Sequence, residues 1–122
     1  MQTPEPATGE FGPLDHESKE ILQALMKAPF PGREEIARQV SVAVGRRIDG
    51  HGCLDLSAVE TVRAEVVRRI PVEAEVSDVD GVTIHVLLHV VDGYISALDI
   101  YREDGGDLRS PIQPEDLRLI VL

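Results

Sequence analysis

Two ten-residue segments, Val82 to Val91 and Tyr94 to Glu103, are rich in β-branched and aliphatic residues, and in the first Val82, Ile84, Val86, Leu88 and Val90 fall at every second position. A period of two is the period of a β-strand. Three Asp-Gly pairs bound these segments at a twelve-residue interval: Asp80-Gly81, Asp92-Gly93 and Asp104-Gly105. Asp-Gly between such runs is the strongest short-range hairpin signal. The C-terminal half therefore reads as an antiparallel meander.

Upstream, the period is helical. Residues 1–14 are rich in Pro, Gly and Glu without periodicity and read as a tail or a strand-like arm, which leaves 15–122 as a single domain. Asp15 is an N-cap candidate for a helix whose apolar stripe is Ile21, Leu22, Leu25 and Met26. Pro29-Phe30-Pro31-Gly32 stops it. A second helix starts near Arg33, with Glu34 and Glu35 in a first turn whose dipole favours acids, and Ile36 and Val40 on its buried side. Val40, Val42 and Val44 then switch the period to two. They predict a strand over 42–48, a turn at Asp49-Gly50-His51-Gly52 and a returning strand over Cys53–Leu56. Ser57 and Glu60 fit a capping box, and Val59, Val62 and Val66 are helically spaced. The segment is nevertheless rich in Val and Thr, and 57–67 reads as extended or irregular. A strand follows over Arg68–Ser77, with Pro71 marking an edge or a bulge, and Leu117–Leu122 reads as an edge strand. The fold class is α+β: two N-terminal helices packed on one face of a mainly antiparallel sheet.

Register follows from matching apolar faces, because a one-residue slip turns a whole strand over. A three-residue loop at Val79-Asp80-Gly81 sets Val76 opposite Ile84 and Ala74 opposite Val86. The same loop at Val91-Asp92-Gly93 sets Val86 opposite Leu98 and Ile84 opposite Ile100. The other face then aligns Glu75, His85 and Asp99 in one row. Leu87, Val91, Ile95, Ala97 and Tyr101 surround that row as a candidate interface.

Composition narrows the chemistry. With 122 residues the chain is one domain, and at 3% aromatic content its core is Val, Ile, Leu and Ala. The single cysteine, Cys53, excludes an intrachain disulfide and suits a reducing cytoplasm. MQTPEPATGEFGP has neither a basic start nor an apolar stretch, so it is not read as a signal peptide, and no apolar run reaches membrane-spanning length. Net charge is −10, and residues 70–122, with eleven acids and three bases, account for −8 of it. Such a chain repels phosphate backbones and favours a basic protein partner over nucleic acid or membrane. Asp92, Asp104, Asp107, Glu115 and Asp116, all in expected loops, form a candidate acidic rim.

The Glu75–His85–Asp99 row is a candidate for metal or general-base chemistry, but one histidine and two carboxylates are a thin set for zinc. His89 lies four residues along the strand, about 13 Å away, and is excluded from the row. Cross-strand charge pairing is the simpler reading. His51 beside Cys53 lacks a second ligand pair, and Asp78-Val79-Asp80-Gly81 departs from the calcium-loop pattern. Ser57, Ser77, Ser96 and Ser110 sit in no nucleophile elbow, and the doublets Arg46-Arg47 and Arg68-Arg69 lack interleaved aromatics. No catalytic residue, metal or cofactor is assigned.

The runs Ile70-Pro71-Val72-Glu73-Ala74-Glu75, His85 to Gly93 and Leu98 to Gly105, with the turn Pro29 to Arg33, resemble a family of small uncharacterised bacterial α+β domains. The resemblance implies the fold class and no activity, and it assigns no site residue. The expected function is a non-enzymatic, acidic, cytoplasmic protein-binding module, of inhibitor or immunity type, for a basic partner. The rival is a small-ligand or metal-dependent enzyme or binder using the Glu75–His85–Asp99 row. A third reading is a homodimer built on the outer face.

Overall fold

The structure, a computed structural model, describes residues 10–58, 61–66 and 68–122. In chain order its elements are β1 (Gly12–Pro13), α1 (His16–Leu25), α2 (Arg33–Ser41), β2 (Val44–Arg47), β3 (Leu54–Ser57), β4 (Val72–Ser77), β5 (Thr83–Val91), β6 (Tyr94–Arg102) and β7 (Arg118–Val121), with a 3₁₀ turn at Pro114–Asp116. The strands form one antiparallel sheet in the order β1-β2-β3-β6-β5-β4-β7. This is the expected α+β architecture. The β4–β5–β6 meander is its centre, β3 joins the free edge of β6, and β7 pairs with β4 as an edge strand.

Helix α1 starts where Asp15 accepts the Ser18 amide at 2.7 Å, satisfying one of the donors a helix start leaves open. Ile21, Leu22 and Leu25 of α1, with Ile36 and Val40 of α2, pack on one face of the sheet against Val72, Ala74, Ile84, Val86, Leu88, Leu98 and Ile100. Each such burial contributes about 1.5–3 kcal/mol gross. Several strands are shorter than the alternation predicts. The last turn of α2 closes through Val42 and Ala43 amides, so β2 begins at Val44. Pro71 has no N–H to donate, and β4 begins just after it. Of the ambiguous 57–67 segment, Ser57 ends β3 and residues 61–66 form neither helix nor strand. Val59 and Glu60, half of the capping-box reading, lie outside the described residues.

The first hairpin has the expected register, with Val76 opposite Ile84, Ala74 opposite Val86 and Glu75 opposite His85. Its three-residue loop ends on Gly81 at φ +88°. The second hairpin differs from expectation. Its loop has two residues, Asp92 and Gly93, with φ of +54° and +84°, as a type I′ turn requires, and Val91 faces Tyr94. An extra residue, Ser96, then bulges from β6 between the pairs Val90–Ile95 and His89–Ala97. A two-residue loop alone would set apolar against polar residues. Turn and bulge together restore the match two residues away from the expected one, so Val86 faces Ile100 and Ile84 faces Arg102.

Gln39 supports this bulge from α2. Fully buried, its side chain accepts the Ile95 amide at 2.9 Å and donates to the Gly93 and Val62 carbonyls, each at 2.9 Å. The Ile95 amide, which points away from β5 where β3 no longer pairs with β6, thus finds a partner.

Candidate functional site

The changed register redraws the outer face, the one without helices. Asp99 lies opposite Leu87, not His85, and the Glu75–His85–Asp99 row does not exist. His85 faces Glu75 on one side and Tyr101 on the other, and the Tyr101 ring stacks on the imidazole with centroids 5.0 Å apart and planes 20° apart. Asp99 instead meets His89, excluded at the sequence level, whose Nε2 lies 2.7 Å from an Asp99 oxygen. A carboxylate accepts, so this nitrogen donates, and His89 Nδ1 is left buried without a partner among the described residues.

Around His85 the acids are Glu73, Glu75 and Glu103. Glu73 and Glu75 are two residues apart on β4 and share its outer face. Their nearest oxygens lie 3.8 and 3.9 Å from His85 Nδ1. Glu103, just past β6, places an oxygen 2.9 Å from Nε2. Arg118 of β7 donates to the other Glu75 oxygen at 2.7 Å. The His85, Glu73 and Glu75 side chains are 13%, 21% and 28% exposed, so the cluster is partly withdrawn from water.

The candidate interface is broken up as well. Ile95 is buried in the core, because the bulge at Ser96 turns it inward. Leu87 and Ala97 are half-buried, while Val91 and Tyr101 are exposed and separated by the histidines and Asp99. The acidic rim does not form one surface either. Asp92 stands at the end of the β5–β6 hairpin opposite to Asp104, Asp107 accepts from or pairs with His51 at 2.9 Å, and Glu115 and Asp116 are exposed on the 3₁₀ turn.

Asp104 belongs to a cluster that the sequence reading missed. Arg102, 1% exposed, occupies an inward position at the end of β6 and uses all five of its N–H donors. Nη1 donates to Asp78 at 2.8 Å and to Asp80 at 3.0 Å, Nη2 to Asp80 at 3.0 Å and to Asp104 at 2.7 Å, and Nε to Asp104 at 3.0 Å. Asp78, itself buried, also accepts the Val79 and Arg109 amides and the Ser110 hydroxyl. Burial raises the Asp78 pKa, but these donors outweigh it and hold the carboxyl well below its usual range. Hydrogen bonds from Arg102 do the same for Asp104 and Asp80. The guanidinium therefore ties two Asp-Gly turns and the chain after β6 into one knot. The signal was present in the alternation, which puts Arg102 on the face of Leu98 and Ile100.

The His51–Cys53 pair is not a metal pair. Cys53 Sγ is buried against the Ile100 backbone, donating to its carbonyl at 3.2 Å and accepting its amide at 3.1 Å, and burial pushes the thiol up to about 11.

A domain of unknown function, DUF6984, matches residues 12–112. The chain belongs to this family. The matched span runs from β1 through the loop after β6, so it takes in both helices, the His85 cluster and the Arg102 knot. No curated protein and no solved structure matches the chain. Among the described residues no helix is long and apolar enough to cross a membrane.

Proposed function

We propose that this DUF6984 domain is a non-enzymatic docking module, and that a basic protein segment binds the outer face of its β4–β5–β6 meander. One observation carries the reading: among the described residues that face bears no helix, and it gathers Glu73, Glu75, Asp99 and Glu103 on and beside three adjacent strands, with Tyr101 exposed among them. Fixed acids around an exposed aromatic ring suit a Lys- or Arg-rich segment, which gains charge pairing and cation–π contact together. A hollow of about 320 Å³ beneath α1 holds His51 and Ser110, but Ser110 donates to Asp78 and His51 pairs with Asp107. A reducing compartment such as the cytoplasm suits the free thiol of Cys53.

The test is an amide NMR titration of the full chain with oligolysine, in chelator and at two salt concentrations, with oligoglutamate as control. Shifts confined to outward residues of β4, β5 and β6, lost at high salt, are expected. No saturable shift, or shifts confined to the Asp107–Asp116 loop, would overturn the reading.

A further inference from the structure

We propose that Glu73, Glu75 and His85 form a binding site for a divalent transition-metal ion, with Glu103 orienting the imidazole. The site shares Glu73, Glu75 and Glu103 with the docking reading, but it is tested with zinc alone, without any basic segment, so either reading can fail without the other.

The argument starts from the tautomer. An ionised carboxylate can only accept, so the 2.9 Å contact between Glu103 and His85 Nε2 places a proton on Nε2. In the neutral ring Nδ1 then presents a lone pair, and it points towards one oxygen of Glu73 and one of Glu75, at 3.8 and 3.9 Å. No donor stands between the three groups, and Nδ1 has no hydrogen-bond partner among the described residues. Three electron-rich atoms converge in a half-buried place, and the described cation beside them, Arg118, is bonded to the other Glu75 oxygen. A direct N–H···O bond would close the gap to about 2.7–2.9 Å, and the observed spacing is longer by about 1 Å.

A cation at the centre resolves this. One ligand atom from each of the three residues lies within 4.8 Å of the others. Atoms bound at about 2.0–2.2 Å to a common ion stand roughly 3–3.6 Å apart, so a small rotation of the two Glu side chains completes the set. Second contacts already aim the ligands. Glu103 holds the far imidazole nitrogen, Arg118 occupies the other Glu75 oxygen, and Tyr101 covers one ring face. A carboxylate on the far nitrogen of a ligating histidine also raises its basicity. The donor set selects the ion. Imidazole suits zinc and its first-row neighbours, whereas magnesium and calcium prefer oxygen alone. Three protein ligands leave at least one coordination position for water or for a group from a bound partner.

The test is calorimetric titration of the chelator-treated full chain with zinc, with magnesium and calcium as comparison ions. It is paired with ¹⁵N NMR of the histidine rings. One equivalent of zinc is expected to bind, to raise Tm and to shift Nδ1 of His85 while Nε2 keeps its proton. Glu73→Gln and His85→Asn should each weaken binding at least tenfold, and Glu103→Gln by about 10–100-fold, while His51→Asn leaves it unchanged. No saturable binding at millimolar zinc would overturn the proposal. So would unchanged affinity in a folded His85→Asn variant, or a zinc-induced ring shift at His51 or His89 instead of His85.

Discussion

Replacing Gln39 with Leu tests the link between helix α2 and the bulge that sets the register of the central sheet. Leu has nearly the same volume, so the perturbation is chemical rather than a cavity. Three backbone groups lose a partner, and the structure weights them unequally. The Gly93 carbonyl keeps a second bond, from the Ala64 amide at 2.9 Å, and Val62 is 65% exposed, which lets its carbonyl turn to water. The Ile95 amide has no ladder partner to fall back on, because it points away from β5 and β3 pairs with β6 at Ala97 and Leu98, short of it. An orphaned buried donor costs about 1–3 kcal/mol, so a loss of about 2 kcal/mol is expected. A domain of this length is stable by roughly 6–18 kcal/mol, so the variant folds, with Tm lower by roughly 5–10 °C. Urea unfolding gives the free energy, and amide hydrogen exchange reads Ile95 directly. Gln39→Glu separates the two polar roles. It keeps an acceptor for Ile95 but turns a carboxylate towards two carbonyls, so it should destabilise more than Leu does. A loss below about 0.5 kcal/mol in Gln39→Leu, with Ile95 still protected, would refute the assignment of the bulge to Gln39.

Two further predictions concern the turns and the buried knot. Asp104 has its pKa held low in the fold by hydrogen bonds from Arg102, so its stabilising contribution is fully present above the ordinary carboxylate value near 3.8 and is lost as pH falls through the lower folded value. In urea titrations, Asp104→Asn should therefore lie below the parent chain by a constant gap at neutral pH, and the gap should close below about pH 4; one that persists into strong acid would contradict the knot. Gly93→Ala should destabilise far more than Gly81→Ala although both glycines have positive φ, because a Cβ at 93 runs into the Ala64 carbonyl and the Arg63 side chain whereas at 81 it meets open space. Equal Tm losses for the two would show that strain alone decides.

The elements were legible because each has a local cause. Asp15 caps α1 and Pro29 to Gly32 stops it, alternation marks β5 and β6, and Asp-Gly marks both turns. The first hairpin's register followed because matching faces left a single solution. The second failed on a single residue. Turn length and face matching together permit a three-residue loop, or a two-residue loop followed by a bulge, and the sequence around Asp92-Gly93 does not separate them. The choice is made from outside the hairpin, by an amide side chain 56 residues away that takes the Ile95 N–H. The candidate site inherited that error. With Asp99 moved beside Leu87, His85 takes Glu73 and Glu103 as neighbours, and His89 takes Asp99.

The same displacement bears on what the acidity of the chain is for. Read along the sequence, Asp104 belonged with Asp92, Asp107, Glu115 and Asp116 as free surface charge. In the fold, Arg102 faces Ile84 on the inner side of the sheet and would be a buried cation without Asp78, Asp80 and Asp104. A buried guanidinium left unpaired is strongly unfavourable, so these three acids are held by the needs of folding. Their charge is directed at Arg102 and is neutralised in part where it sits. The acids of the outer face differ. Among the described residues Glu73, Asp99 and Glu103 each meet an imidazole rather than a permanent cation, and Glu75 alone of the four has an arginine partner, Arg118. Four carboxylates against one arginine and two histidines leave that face with an excess of negative charge on a rigid sheet. Of the five loop acids only Asp104 is drawn into the Arg102 knot, while Asp92, Glu115 and Asp116 stay exposed, so the β4–β5–β6 face adds a second, sheet-held source of negative charge to the one on the loops.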